Sequence, residues 1–351
     1  MHVLMVAEAL PPAVGGVEGH VAGLTRELLE RGYKVTLVAP AHAGGSLCGE
    51  TIEGGDTVWI PRTGWRRTDY PKAWSWWLGR RGLLREADVI HFHDVYALLH
   101  WFGPARLICP GKPTFLTFHG YEMLHPVPLR ARLYRKLGSR LVRGSICVGH
   151  YLARWFALRP DAVTYGAVTP PEEHPTAGRE PMAVFLGRLS RDMSPGIYLR
   201  ALGTLKREHG LVLPIKVCGD GPLRAAMEEV ASREGIDAEF LGWVSDPAPY
   251  LRGATVAFVS SYLAMLEAMA HRVPIFAVYS GPVKADYLRM IPGAEGLFRM
   301  ASTPSELAGQ LARELSGRED SRGQLERAYR FAAEHTWGRL AETYIQLWGR
   351  G

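Results

Sequence analysis

Cysteine is scarce in this chain: four residues in 351 (Cys48, Cys109, Cys147, Cys218), with no C-x-x-C pair and no histidine at metal-ligand spacing. That excludes a disulfide-stapled scaffold or a zinc finger and fits buried free thiols in a reducing setting, three of them in apolar, strand-like runs. Long hydrophobic runs are missing too. No stretch of ~20 uninterrupted apolar residues occurs, so nothing is expected to span a bilayer. The apolar start, residues 1–7, is cut off by Glu8 and Pro11-Pro12, too early for a secretory signal. There is no G-x-G-x-x-G turn after the first apolar run, no P-loop lysine and no G-x-S-x-G elbow. Dehydrogenase, P-loop ATPase and α/β-hydrolase readings lose their main support. Low-complexity tracts and short-period repeats are also absent.

What is present is an ordinary globular balance, 47% hydrophobic and 22% charged, at a length that suits two domains. Net charge is +6, but it is uneven. Residues 1–170 carry 20 basic against 13 acidic side chains, whereas residues 171–351 carry 21 against 22. Residues 58–154 alone hold 16 basic and 5 acidic groups. The excess belongs to the first half.

Apolar runs at 2–7, 34–39, 88–93, 114–118 and 145–149 read as strands, and 17–31 has helical spacing at Val17, Val21, Leu24 and Leu28, ended by Gly32. That is a βαβ series and predicts a doubly wound, mostly parallel sheet. A Pro- and charge-rich stretch at 168–181 reads as a linker. A second series follows, with strands at 183–187, 215–219, 238–244, 255–260 and 274–278 and helices near 196–208, 223–234, 262–270 and 305–315. Residues 321–348 read as one or two amphipathic helices with Trp337, Leu340, Tyr344 and Trp348 near one face. The expected domains are 1–168 and 169–334, with 335–351 as a closing segment.

Two glycine-rich turns sit where such sheets bind ligands. Gly15-Gly16, before the first helix, lets backbone N–H groups approach an anion at the helix's positive end. Arg188, in Gly187-Arg188-Leu189, offers a forked donor suited to phosphate. The alternatives are a plain tight turn and a solvated arginine. Cys218-Gly219-Asp220-Gly221-Pro222-Leu223 reads chiefly as a structural turn into a helix.

In order, these pieces resemble the retaining family-4 glycosyltransferases of the GT-B fold. The matching stretches are P-P-x-x-G-G-x-E (Pro11 to Glu18), L-x-x-x-L-x-x-R-G-x-x-V ending at Val35, D-V-I-H-x-H ending at His93, and T-x-H-G ending at Gly120. G-R-L at Gly187, G-D-G-P-L at Gly219, F-L-G-x-V at Phe240, L-E-A-M-A at Leu266 and the tail His335-Thr336-Trp337 complete them. The resemblance implies two Rossmann-like domains facing across a cleft, a nucleoside-diphosphate sugar held mainly by the second, an acceptor held mainly by the first, and a closing helix, 335–351, that returns to the first domain. It implies that Gly15, Gly16, Arg188 and Gly219 serve the donor, that Glu267 bonds the ribose hydroxyls, and that His119 lies by the transferred sugar. His119, Arg188 and Glu267 are the expected catalytic set, with His93 and Glu122 on the acceptor side. Neither a metal nor a cofactor is implied: groups aimed at the leaving diphosphate stabilise the charge that develops, and the phosphate itself takes the acceptor's proton.

Two departures stand out. The family's lysine five residues after the arginine of G-R-L is Met193 here, and Arg191 is off register for the role. The family's Glu-x7-Glu puts a first carboxylate at the position of Val259, and the sugar-gripping turn before Glu267 is shorter by four or five residues. A transferase is the main reading. A catalytically impaired homologue that binds nucleotide or carbohydrate is the alternative, and a sugar-nucleotide epimerase a remoter one.

Two basic segments remain. Residues 62–85 interleave Trp65, Trp74, Trp76 and Trp77 with basic side chains, and residues 130–143 carry six more at helical spacing with Leu133, Tyr134, Leu137 and Leu141. Trp and Arg on an amphipathic surface suit an anionic membrane or an anionic, lipid-linked acceptor. Core tryptophans and a solvated helix face are the simpler alternatives. No nucleic-acid motif accompanies the charge. The expected location is cytoplasmic, with the first domain able to sit on the inner face of the cell membrane.

Overall fold

A computed structural model describes residues 1–10, 15–41, 54–60, 70–121, 125–171, 180–317 and 321–349. Cys48, Trp65, Glu122 and the loop at 11–14 lie outside them. The chain divides into two compact units, Met1–Gly166 with Trp337–Gly351, and Ala167–Thr336.

Unit 1 runs β1 (His2–Ala7), α1 (Gly16–Glu30), β2 (Lys34–Pro40), β3 (Asp56–Ile60), α2 (Tyr70–Gly79), α3 (Arg81–Glu86), β4 (Val89–His93), α4 (Val95–Ile108), β5 (Thr114–Phe118), α5 (Leu129–Leu141), β6 (Gly144–Val148), α6 (His150–Phe156) and β7 (Ala162–Thr164). Its seven strands are ordered β3-β2-β1-β4-β5-β6-β7, and every pair is parallel. β4 and β6 are buried along their whole length, and β1, β2 and β5 at all but their ends. Helices cover both faces of a parallel sheet, so its central strands are apolar on both sides.

Unit 2 runs β8 (Glu180–Leu186), α7 (Pro195–His209), β9 (Ile215–Cys218), α8 (Arg224–Glu234), β10 (Ala238–Gly242), α9 (Ala248–Gly253), β11 (Ala254–Phe258), α10 (Tyr262–Ala270), β12 (Ile275–Val278), α11 (Pro282–Arg289), α12 (Ala294–Leu297), β13 (Arg299–Ala301), α13 (Pro304–Leu315) and α14 (Arg322–Glu334). Six parallel strands follow the order β10-β9-β8-β11-β12-β13. A core from Phe185, Tyr198, Leu202, Val217, Phe258 and Phe276 to Leu307 and Leu311 fills the space between sheet and helices. The last helix, α15 (Trp337–Gly349), packs in unit 1, burying Leu340, Tyr344, Leu347 and Trp348.

Several sequence-based expectations need correction. They lacked β3, β7 and β13, which are edge strands and only part-buried, so they carry little hydrophobic periodicity. β8 begins at Glu180, which pairs with Ala254, so residues 180–181 belong to the sheet and not to the linker. Cys109 follows the end of α4 and is half-buried, not in a strand, while Cys147 and Cys218 are buried strand thiols. Of the tryptophans, Trp77 is core, whereas Trp74 is exposed.

Candidate active site

In sheets of this kind ligands bind at the carboxyl edge where the strand order reverses. That point lies between β1 and β4 in unit 1 and between β8 and β11 in unit 2. Most of the predicted site residues fall at these two places.

In unit 1, β4 ends at His93 and β5 is followed by His119, paired in register through His93 and Thr117. His93 Nδ1 and His119 Nε2 share a hydrogen bond of 2.9 Å. His20, on α1 and missed by the sequence reading, lies edge-on to His119 with ring centroids 4.7 Å apart. All three imidazoles are buried, with His91 behind them. Burial lowers each pKa, His20's to about 4, and neighbouring imidazoles push those of His91, His93 and His119 further down. They are neutral at pH 7.

The turn carrying His119 is held from both sides. Asp94 sits at φ 77°, a strained left-handed conformation. Its carboxylate accepts the N–H of Val95 at 2.6 Å and those of His119 and Gly120. Arg135 Nη2 donates to the Gly120 carbonyl at 2.8 Å, with its guanidinium over the rings of Phe156 and Tyr121. Glu8, just past β1, is pushed up to about 7 by burial and by the charge of Asp94. Gly15 and Gly16 open α1, and a Cβ at Gly16 would meet nothing, so the backbone there is approachable.

In unit 2, Arg188 follows β8 with its side chain 62% exposed and bonded to Asp192 at 3.1 Å. Met193 points into the core, 4% exposed. The Gly219 turn is hydrogen-bonded to this loop through Gly187 N–H to Cys218 O and Leu189 N–H to Asp220 O, and a Cβ at Gly219 would strike the Gly187 carbonyl. Gly219 therefore has a packing reason of its own. Only residues 259–261 join β11 to α10. Two groups of α11 brace that short connection: Lys284 Nζ donates to Ser260 O at 2.5 Å, and the Tyr287 hydroxyl accepts Tyr262 N–H at 2.8 Å. Lys284 is 2% exposed, and burial lowers its pKa to about 7. Ser194 and Ser280 hydroxyls, 2.8 Å apart, join the turns that precede α7 and α11. Glu267, half-buried on α10, is raised to about 7 by burial and by Asp246. Among the described residues no His, Cys, Asp or Glu cluster could hold a metal ion.

Two wound sheets with basic and acidic groups at both reversal points fit a two-domain transferase, and comparison with known proteins decides the family. Residues 14–164 match the model described as Glycosyltransferase Family 4, and residues 180–316 match Glycosyl transferases group 1. The chain belongs to these glycosyltransferases. A phosphatidyl-myo-inositol mannosyltransferase of Propionibacterium freudenreichii is 26% identical over 95% of this chain and 91% of its own length. A subunit of the phosphatidylinositol N-acetylglucosaminyltransferase of Arabidopsis thaliana is 26% identical over 70% of this chain and 58% of its own. The crystal structure of a glycosyltransferase from Rickettsia africae superposes with a TM-score of 0.72 at 12% identity, covering 99% of this chain and 98% of that one. The fold of this glycosyltransferase is accordingly GT-B.

Of the sequence-based candidates, the fold brings His93 and His119 together in unit 1, with Gly15 and Gly16 opening the nearby helix that carries His20. Arg188 and Gly219 share one loop cluster in unit 2. Sequence reasoning missed His20, Asp94, Arg135 and Lys284 as site residues, and read Tyr344 only as part of one face of the closing helix. A buried lysine within an apolar helix face was a signal that could have found Lys284.

Proposed function

We propose that this glycosyltransferase moves a sugar from a nucleoside-diphosphate donor to a lipid-linked or anionic acceptor, with retention of anomeric configuration and without a metal. The donor part is carried by Arg188 at the reversal point of unit 2, a forked cation beside the starts of α7 and α11, with Glu267 on α10 for the ribose. Both curated relatives bear phosphatidylinositol in their names, which supports a lipid acceptor here.

The acceptor part rests on α5. Its inward residues are Ala131, Arg135 and Gly138, while Leu129, Leu133, Tyr134 and Leu137 are exposed among Arg130, Arg132, Lys136 and Arg140. A cavity of about 470 Å³ lies between this helix and α6, lined by Leu129, Arg132, Leu133, Lys136, Trp155 and Phe156. Apolar side chains ringed by cations suit an acyl–headgroup boundary bearing anionic lipid.

Transfer and donor hydrolysis measured over a panel of UDP-, GDP- and ADP-sugars test the reading, with Arg188→Ala expected to lower kcat/KM about 100-fold. Nucleotide binding without turnover on any acceptor would turn the proposal into that of a binding homologue. Sedimentation with vesicles should show pelleting that depends on acidic lipid; equal, negligible pelleting with and without it removes the membrane part.

A further inference from the structure

The buried polar chain behind His119 has an assignable direction. The Trp348 indole has only an N–H to give, and it donates to His91 Nδ1 at 2.9 Å. Neutral His91 then carries its hydrogen on Nε2 and donates to Thr117 Oγ1 at 2.8 Å. Thr117 is fully buried, and its hydroxyl hydrogen has one described acceptor, the Tyr344 hydroxyl oxygen at 2.8 Å. Tyr344 O–H is left to donate to His20 Nε2 at 2.9 Å. Reversing the last two bonds would leave the Thr117 hydrogen unmatched in the core, which costs more than a hydrogen bond returns. His20 therefore bears its hydrogen on Nδ1.

The second pair is settled by an unmatched atom. His93 Nε2 is buried without a partner among the described residues. A hydrogen there would be an orphaned buried donor, so the hydrogen sits on Nδ1 and is donated to His119 Nε2. His119, the least buried of the four at 9% exposure, is thereby also fixed with its hydrogen on Nδ1.

We propose that Trp348 and Tyr344 of α15 lock His91 and His20 into single tautomers, as the buried Nε2 of His93 does for His119, so that His20 and His119 serve the transferase site as hydrogen-bond donors to a sugar hydroxyl or phosphate oxygen, and neither serves as the base. Tyr344 is then a positioning residue acting through His20. In both donors Nε2 already accepts a hydrogen bond and Nδ1 is protonated, leaving no free ring lone pair for the acceptor's proton. Among the described residues, the charged and titratable groups near them are one another, Tyr344, and, behind the His119 turn, Asp94 with Arg135 and Glu8. Burial and mutual proximity keep all four rings uncharged. The role at the site rests on the function proposed above; the lock itself does not.

The test is imidazole 1H–15N correlation on the full chain with labelled histidine, assigned by single His→Gln substitutions. His91 is expected with its hydrogen on Nε2, and His20, His93 and His119 with theirs on Nδ1, none titrating between about pH 5.5 and 7.5. Tyr344→Phe should remove the hydrogen-bond shift at His20 Nε2 and leave the His93–His119 pair unchanged. It should also lower kcat about tenfold with the donor KM unaltered, the loss expected when one hydrogen bond's worth of positioning goes. Should that variant not fold, Trp348→Phe removes only the first donor and should release His91 into both tautomers. His20 or His119 protonated on Nε2, or titrating in that range, would overturn the proposal, as would an unchanged His91 in Trp348→Phe. The stated tautomers in a protein that transfers no sugar would defeat the functional reading and leave the lock standing.

Discussion

Two side chains in unit 2 carry charge against their surroundings. In the proposed function Glu267 accepts hydrogen bonds from two ribose hydroxyls, which the ionised carboxylate does best, yet burial and Asp246 hold its pKa at about 7. Nucleotide affinity should therefore rise about tenfold between roughly pH 6 and 8, and this slope should vanish in Glu267→Gln; calorimetry with UDP, GDP and ADP checks it. The same shift has a consequence for stability. The unfolded chain releases the Glu267 proton first, so the folded state loses stability as pH rises from the ordinary carboxylate range through about 7. Lys284 has the opposite sign. Its folded pKa of about 7 lies below the ordinary 10.5, so the unfolded chain binds more protons in between and the wild type gains stability over that window. Lys284→Met should flatten that gain in denaturant titrations at pH 7 and pH 10.

Among the elements, α5 is turned inside out. Its spacing of Leu, Tyr and Arg looks like an ordinary amphipathic helix, but the stripe facing the sheet is Ala131, Arg135 and Gly138. A Cβ at Gly138 would stand 2.9 Å from Val95 Cγ2, so the helix sits too close for a larger residue, and Leu129, Leu133 and Leu137 are left outside. Glu at both Leu133 and Leu137 should leave the melting temperature nearly unchanged, as exposed positions do. The same variant should abolish pelleting with acidic vesicles. The turn between β9 and α8 makes a different demand. Gly219→Ala would force the Gly187 loop away, and a cost of about 1–3 kcal/mol is expected from denaturation, with donor affinity falling because Arg188 rides on that loop.

For the whole molecule, the last helix matters more than its place at the end of the chain suggests. α15 buries Leu340, Tyr344, Leu347 and Trp348 in unit 1, and the ring of Trp337 lies over Gly23 of α1, where any Cβ would collide with it. Arg31 joins the two helices by donating to the Gly338 carbonyl at 3.1 Å. Large buried side chains contribute roughly 1.5–3 kcal/mol each, so four of them rival the ~5–15 kcal/mol that holds a typical domain together. Truncation after Thr336 should thus unfold unit 1 while unit 2 keeps its own cooperative transition, which calorimetry would show as the loss of one component.

Local signals in the amino-acid order were enough to specify the alternation of strands and helices, the two wound halves, and the succession of short motifs that mark the glycosyltransferases. They are apolar runs long enough for a buried parallel strand, helical stripes, and glycines at strand ends. Edge strands such as β3 and β13 were illegible because half-exposed residues carry little periodicity. The remainder emerged from packing. Periodicity reveals that α5 has an apolar stripe but not whether a neighbour covers it, which is a matter of the distance between helix and sheet. Likewise, nothing near His20 in the sequence announces Tyr344, 324 positions away. The hydrogen bond that fixes the imidazole exists only because α15 folds back onto the first sheet, where a buried donor must find a buried acceptor.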